Sequence, residues 1–354
     1  MTPQTEYPHV HVVICGFEHH PLNLQAVDLL VRKFEEVSDR PGTATYFRES
    51  ADFGPDERQK MLGYQKEYGV LGTFVGGLIG KQGIAINHRT VTHYTRDFGR
   101  YSLDSLVQNR VLPADMIAAY YEALQVDELM RRKKNRTFKI DFESALDEDL
   151  ETVRALSSRV DLLAHKITRF LKLGNLDEAV RITQTVHLIL DEESRLRERG
   201  IASVIDKNVD SLSKSRHGGV IVCPIGWSHA QPLNDRLSQL SSDTVLIESY
   251  HPLEIPVQER DIYNEVSQNG KVSDDTAARL ILYQFTVGDL PDFAAKNEVV
   301  SQMGRNWGAV SNGISDAIQL LDYQQIEAII RDAVSGNDHF MPEIYRGQIQ
   351  PYLR

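Results

Sequence analysis

Val13-Ile14-Cys15-Gly16-Phe17-Glu18-His19-His20-Pro21-Leu22-Asn23 and Val220-Ile221-Val222-Cys223-Pro224-Ile225-Gly226-Trp227-Ser228-His229-Ala230-Gln231-Pro232-Leu233-Asn234 follow one plan. Each opens with a β-branched apolar run, continues with Gly-aromatic-x-His and closes on Pro-Leu-Asn. The apolar run predicts a buried strand. The glycine permits a sharp turn at the strand's carboxyl end, and proline at a first helical position predicts a helix start. Two strand–loop–helix units predict an α/β fold, in which sites form in the crevice beyond the carboxyl ends of the strands. On neighbouring parallel strands, the two units would bring His19 and His229 to one shared polar site. Gly336-Asn337-Asp338-His339 also fits Gly-x-x-His, but it follows a predicted helix rather than a strand and is set aside as a chance match.

Outward from these units, the first strand is expected over 9–15, its helix over 21–37, and a second strand over 44–47 after the Pro41-Gly42 turn. That β-α-β spacing predicts a parallel pair. Further elements are expected at 83–91 (strand), 102–108 and 113–130 (helices). Leu146, Leu150, Val153, Leu156, Val160, Leu163, Ile167 and Phe170 recur at steps of three and four, the mark of an amphipathic helix with one apolar seam. Gly174-Asn175 breaks it, and a second helix is predicted from 176 to 205 or beyond. The two form an expected antiparallel hairpin. Strands are predicted at 219–223 and 244–248, with helices at 232–240, 275–285 and 324–334. The expectation is a mainly parallel sheet flanked by helices with a long inserted helical hairpin. Residues 1–140 would form the first half of the α/β core, 141–215 the hairpin, and 216–354 the second half with the C-terminal helices.

The chain has 354 residues, 41% hydrophobic and 25% charged, with a formal net charge of −11. Such a length carries an ample core, and such an acidic field repels nucleic acid and anionic membranes. The dense basic run Arg131-Arg132-Lys133-Lys134-Asn135-Arg136 reads as a solvated helix end. The apolar stretch 70–80 is about half the length of a membrane span, and residues 1–6 have no leader pattern. Cys15 and Cys223 each close a β-branched run and read as core residues rather than a disulfide framework. A reducing, cytoplasmic setting is expected.

Imidazole serves as metal ligand, general base or charged anchor. Glu18 lies inside the first turn and Glu49 follows the second strand, at the end that reaches the same crevice. A His19/His229/Glu49 set, with Glu18, suits zinc, manganese or a similar divalent ion completed by water. Alternatively Glu49 orients a histidine as a base. His20 and His251 are further candidates at the rim. Asn87, His88, Arg89 and His93 read as a surface hairpin. Gly76-Gly77-Leu78-Ile79-Gly80-Lys81-Gln82 fails as a phosphate loop, lacking glycine at Val75 and a hydroxyl at Gln82.

These residues resemble the TraB/Tiki-like superfamily, which includes erythromycin-esterase-like and ChaN-like proteins. Its members carry two Gly-x-x-His units on strand ends, an acidic residue after the second strand, and a helical insertion. The last inserted helix bears an Arg-acidic pattern, which appears here as Arg197-Glu198-Arg199-Gly200-Ile201-Ala202-Ser203-Val204-Ile205. Gly16-Phe17-Glu18-His19-His20-Pro21 is similar to the ChaN-like opening. The resemblance implies a site of His19, Glu49, Arg197 and His229, with Arg197 binding an oxyanion. It departs at Phe17, where many relatives have glutamate, and at the bulky 224–228 turn. Relatives include metal-dependent proteases, an esterase and haem binders, so the resemblance does not fix the reaction.

Two functions follow as expectations. One is a hydrolase, metal-dependent or using histidine as base, acting on an ester, amide or phosphate of a small molecule or peptide. The other is a regulatory protein that holds a metal, haem or small anion without turnover. In either case the helical hairpin is the expected homodimer surface. A nucleotide-binding fold lacks its fingerprint and ranks last.

Overall fold

The computed structural model describes residues 9–17, 23–38, 43–48, 137–141, 146, 149–297, 299–336 and 340–353. Five parallel strands make one sheet: β1 (Val10–Phe17), β2 (Thr43–Arg48), β3 (Thr137–Asp141), β4 (Gly219–Gly226) and β5 (Val245–Tyr250), in the spatial order β3-β2-β4-β1-β5. Helix α1 (Leu24–Ser38) links β1 to β2, α2 (Leu150–Lys172) and α3 (Leu176–Ser213) lie between β3 and β4, and α4 (Trp227–Leu237) links β4 to β5. The expected strands at 83–91, helices at 102–108 and 113–130, and basic run at 131–136 lie outside the described residues.

β1 and β2 are parallel but not neighbours, which corrects the expected pair: β4 stands between them. All eight β4 residues are buried, and a strand apolar on both faces belongs in the middle of a parallel sheet. The pleat sends alternate side chains to opposite faces. Val10, Val12 and Ile14 join Ile221, Cys223 and Ile225 on one face, and Val13 and Cys15 join Val220 and Val222 on the other. Helix α1 covers the second face with Ala26, Leu30, Phe34 and Val37. Burying Leu30 and Phe34 fully contributes about 2–3 kcal/mol each. The first face is covered by α4, through Leu233 and Leu237, and by the C-terminal half of α3, through Ile201, Ile205, Val209 and Leu212. Cys15 and Cys223 are completely buried on opposite faces, so no disulfide joins them.

Two helix starts differ from expectation. Helix α1 begins at Leu24, not Pro21, because the Asn23 side chain accepts a hydrogen bond from the Ala26 N–H and acts as the cap. Helix α4 begins at Trp227 rather than Pro232, with Gly226 at its N-cap. β4 runs on through Pro224 to Gly226, so no loop is left for a later start. Pro232 therefore sits in the second turn, at the cost of the hydrogen bond its missing N–H would give the Ser228 carbonyl. The shared Pro-Leu-Asn thus has two roles: it precedes one helix and lies inside the other.

Helix α2 starts at Leu150, four residues after the buried Leu146. Its end carries a paired closure. The Asn175 N–H reaches the Phe170 carbonyl and the Gly174 N–H reaches that of Leu171, with Gly174 at φ +69°. Asn175 then caps α3 by accepting from the Glu178 N–H. The two helices pack along each other. After β5 come α5 (Val257–Asn269), α6 (Asp274–Lys296), α7 (Val300–Arg305), α8 (Trp307–Gln319) and α9 (Tyr323–Val334). They build a second, helical core around Tyr283, Trp307 and Ile314, into which the first turns of α3 place Leu176, Ala179 and Val180. Among the described residues no helix is long and apolar enough to cross a membrane.

Candidate functional site

The sheet topology selects one place for a site. β1 connects to β2 through α1 on one face, crossing over β4. β4 connects to β5 through α4 on the other face, crossing over β1. Adjacent strands whose connections leave towards opposite faces open a crevice at their carboxyl ends. β1 and β4 are that pair, and they end level, with Phe17 opposite Gly226. The expectation that both Gly-x-x-His strands are parallel neighbours is met. His19, His20, Glu18 and Glu49 lie outside the described residues, as do Asn87, His88, Arg89 and His93.

At this switch point β1 makes a close approach. A Cβ on Gly16 would stand 2.6 Å from the Ala230 Cβ and 2.7 Å from the His251 Cε1. Glycine is therefore what admits both α4 and His251, which follows β5, to the end of β1. The His251 Nε2 lies 3.3 Å from the Ser249 hydroxyl. A small cleft here is lined by Gly16, Asn23, Trp227, Leu253, Trp307 and Gly308.

Trp227 also forms a wall of a cavity of about 400 Å³, within the size range of small-molecule sites. Its back is the middle of α3, where His187, Asp191, Ser194 and Glu198 recur along one side. Its other walls come from the first turns of α4 and from α5 and α6. His229 sits in the first turn of α4, and its Nδ1 lies 3.3 Å from the Glu198 carboxylate. The side chains are only 13% and 4% exposed. Arg236, one face of α4 further on, places its Nε 3.8 Å from the same carboxylate. The Trp227 indole N–H donates to Glu259, and the Trp227 ring meets Tyr263 edge-on. Burial pushes the His187 imidazole down to about 4, so it stands neutral at pH 7. Gly226, at the N-cap of α4, makes no side-chain cap to its first turn.

Arg197 is not part of this cavity. Its guanidinium pairs with Glu193 one turn earlier on α3, at 2.8 and 2.9 Å, and Glu193 accepts from Ser157 of α2. Glu198, the next residue, turns to His229 instead. Glu198, Trp227, Arg236, Glu259 and Tyr263 were not singled out from the sequence. A signal existed for Glu198, since it closes the series 187, 191, 194, 198, whose steps of three and four mark one helix face. Arg236, Glu259 and Tyr263 meet the site only through tertiary packing.

Among the described residues no group of three or more His, Cys, Asp or Glu is placed to hold a metal. His229 is the one sequence-nominated ligand described, and its Nδ1 faces Glu198, an arrangement that leaves Nε2 to act as ligand or base with an orienting carboxylate behind it. In comparisons with protein-family models, curated proteins and solved structures, the chain matches none significantly.

Proposed function

We propose that the chain is a hydrolase whose general base is His229, oriented by Glu198, acting on an ester, amide or phosphate bound in the cavity between α3, α4 and α5. One observation carries this reading. A histidine in the first turn of the helix after β4 is hydrogen-bonded through Nδ1 to a buried carboxylate and borders a ligand-sized cavity. Glu198 holds the ring and favours the imidazolium that forms when Nε2 takes a proton from water. The uncapped first turn of α4 offers N–H groups to the oxyanion that the attack creates. Glu198 is a positioning residue, and His229 the catalytic one.

His19 and Glu49 belong to the same site in this proposal. The strands that precede them, β1 and β2, flank β4 on either side, which supports their reaching the crevice. In the metal-dependent form of the reading, the alternative to His229 acting as base, a divalent ion such as zinc or manganese would be held by His229 Nε2, His19, Glu18 and Glu49. When bound, it would supply Lewis acidity and a more acidic water. Arg236, beside Glu198, takes the anion-clamping place rather than Arg197. The α2–α3 pair is proposed as an insertion into the sheet and as the homodimer surface, where Leu162 and Leu173 stand 60% and 68% exposed. The buried thiols of Cys15 and Cys223 support a reducing, cytoplasmic setting.

The test pairs a broad hydrolase screen with elemental analysis and a visible spectrum of the purified protein. His229→Ala is expected to lose about a hundredfold or more of the turnover while its unfolding midpoint stays close to that of the parent. Glu198→Gln should lose less. Full turnover in His229→Ala, or ligand binding with no turnover of any substrate, defeats the proposal. In the second case the cavity is a binding site alone.

A further inference from the structure

Resting on the cavity as the substrate site of the hydrolase reading, we propose that the substrate is an uncharged ester or amide whose apolar body carries a hydroxyl group, and that His187 receives this hydroxyl at the end of the cavity away from His229. The two imidazoles border one cavity but stand apart. His187 and Glu198 lie on the same side of α3, roughly 16 Å apart along its axis, and Glu198 is the residue that holds His229. Gln184, one turn before His187, donates to the Val272 carbonyl and the Asp274 carboxylate. Those bonds set this stretch of α3 against the junction of α5 and α6.

His187 is the open group at that end. Among the described residues the Thr183 hydroxyl is the one buried side-chain polar atom sealed in without a partner. The His187 ring nitrogens bond to no described residue either, so they keep an opening, and the cavity is what they border. Asp191, the acid one turn further along the same side, is held by Arg195 at 2.8 Å. Val266, from the last turn of α5, and Leu280, from the second turn of α6, line the cavity near the same junction and are buried. Burial in this wall keeps the imidazole neutral at pH 7. A neutral imidazole offers one N–H donor and one nitrogen acceptor, the pair that a hydroxyl group matches.

The charged side chains of the cavity are committed to protein partners. Asp191 holds Arg195, Glu198 holds His229 with Arg236 beside it, and Glu259 accepts from the Trp227 N–H. The lining polar side chains that bond to no described residue, His187, Ser194, Ser228 and Gln284, are all uncharged. A carboxylate or ammonium at the His187 end would leave water for a wall with no uncommitted opposite charge, which is costly. A hydroxyl exchanges its bonds to water for bonds to the imidazole. Leu190 and Ile262 line the stretch between the two ends and suit the apolar body of the substrate. The Glu198–His229 pair and Arg236 are left for the reacting bond, where charge develops only during turnover.

The full chain is titrated by calorimetry with 3-phenylpropanol, its methyl ether, 3-phenylpropionate and 3-phenylpropylammonium at constant ionic strength. The alcohol is expected to bind best, with the ether roughly three- to tenfold weaker and the two ions at least about tenfold weaker. His187→Phe keeps a ring but removes both nitrogens. It should bind alcohol and ether equally, with the ether as in the parent, and His187→Gln should regain part of the preference. In the parent, the ring nitrogen resonances of His187 should move on adding the alcohol and stay in place on adding the ether, a reading that needs no variant. His229→Ala should keep the preference for the alcohol. Equal binding of alcohol and ether to the parent, a preference that survives in His187→Phe, either ion bound as tightly as the alcohol, or no binding of any of the four overturns the inference. His229-dependent hydrolysis confined to charged substrates overturns it while sparing the hydrolase reading. A preference for the alcohol that depends on His187, in a protein that hydrolyses no ester or amide, supports the hydroxyl site and defeats the hydrolase reading.

Discussion

Glu248 on β5 lies between His11 of β1, whose Nε2 is 2.9 Å away, and Lys33 of α1, whose Nζ is 2.8 Å away. His11 is 2% exposed, so this group ties the sheet to α1 from within. Burial alone would raise the Glu248 carboxyl, but the Lys33 hydrogen bond and charge, with those of His11, outweigh it and hold the pKa low. For Lys33 burial acts to lower the pKa, and Glu248 reverses this. A carboxyl depressed in the fold adds stability above its unfolded value of 4.5, lost as pH falls through the folded one. An ammonium raised in the fold adds stability below 10.5, lost as pH rises through the folded one. Glu248→Gln is therefore expected to cost about 1–3 kcal/mol at pH 7 and to flatten the acid limb below 4.5. An unchanged limb in urea titrations across pH would show that Glu248 does not drive it. Gly16 makes a steric case of the same kind. With Ala230 and His251 2.6 and 2.7 Å from a prospective Cβ, Gly16→Ala must displace α4 or the imidazole. A loss of about 1–3 kcal/mol with reduced turnover is expected. A variant as stable and active as the parent would mean that the approach relaxes freely.

Helix α9 shows how local a start signal can be. Asp322 accepts from the Gln325 N–H while Gln325 accepts from the Asp322 N–H, both at 2.9 Å. Asp322→Ala should cost about 1 kcal/mol, and adding Gln325→Ala should cost little more, because the two bonds form one box. Fully additive losses in denaturant midpoints would contradict this. Signals of this range, a few residues long, are what the sequence displayed well. The helix over 150–170, the break at Gly174-Asn175 and the beginnings of β1 and β4 appear close to where periodicity placed them, because each is decided within one element, while Leu146 stands outside the helix and both strands run on past Cys15 and Cys223. The order of strands was not so decided. Nothing near β1 or β2 announces that β4 lies between them; only the two-sided burial of 219–226 hints at a central place. Pro232 reads as a helix boundary in the sequence, but the continuation of β4 to Gly226 leaves no room for one. The site was half legible. His229 was found because its strand and glycine are adjacent to it. Its carboxylate partner lies 31 residues away, beside Arg197, and one residue step, about 100° around the helix, separates the residue facing α2 from the one facing α4.

Among the described residues the buried apolar side chains gather around the sheet and among the C-terminal helices, and α3 belongs to both groups. Leu176, Ala179 and Val180 pack in the helical core, and Ile201, Ile205, Val209 and Leu212 pack on the sheet. At 1.5 Å per residue, its 38 residues span roughly 57 Å, long enough to reach from one to the other. Between these stretches, His187, Asp191 and Glu198 line the cavity, whose other walls are α4 from the sheet side and α5 and α6 from the helical side. A site at such a junction can only be complete when both halves are docked. The helix that docks them also carries the carboxylate that orients His229. This predicts that folding of the two halves and assembly of the site are one event, coupled through an unbroken α3. Glu192 is exposed and lies in the middle of that span. Proline there removes one backbone hydrogen bond, clashes with the carbonyl of Leu188 and costs about 3 kcal/mol or more, with no buried side chain lost. The parent should melt in one calorimetric transition. Glu192→Pro should melt in two, one for each core, and lose the His229-dependent turnover before the first of them is complete. A variant that merely shifts a single transition downward would show that the cores are held together by contacts other than α3.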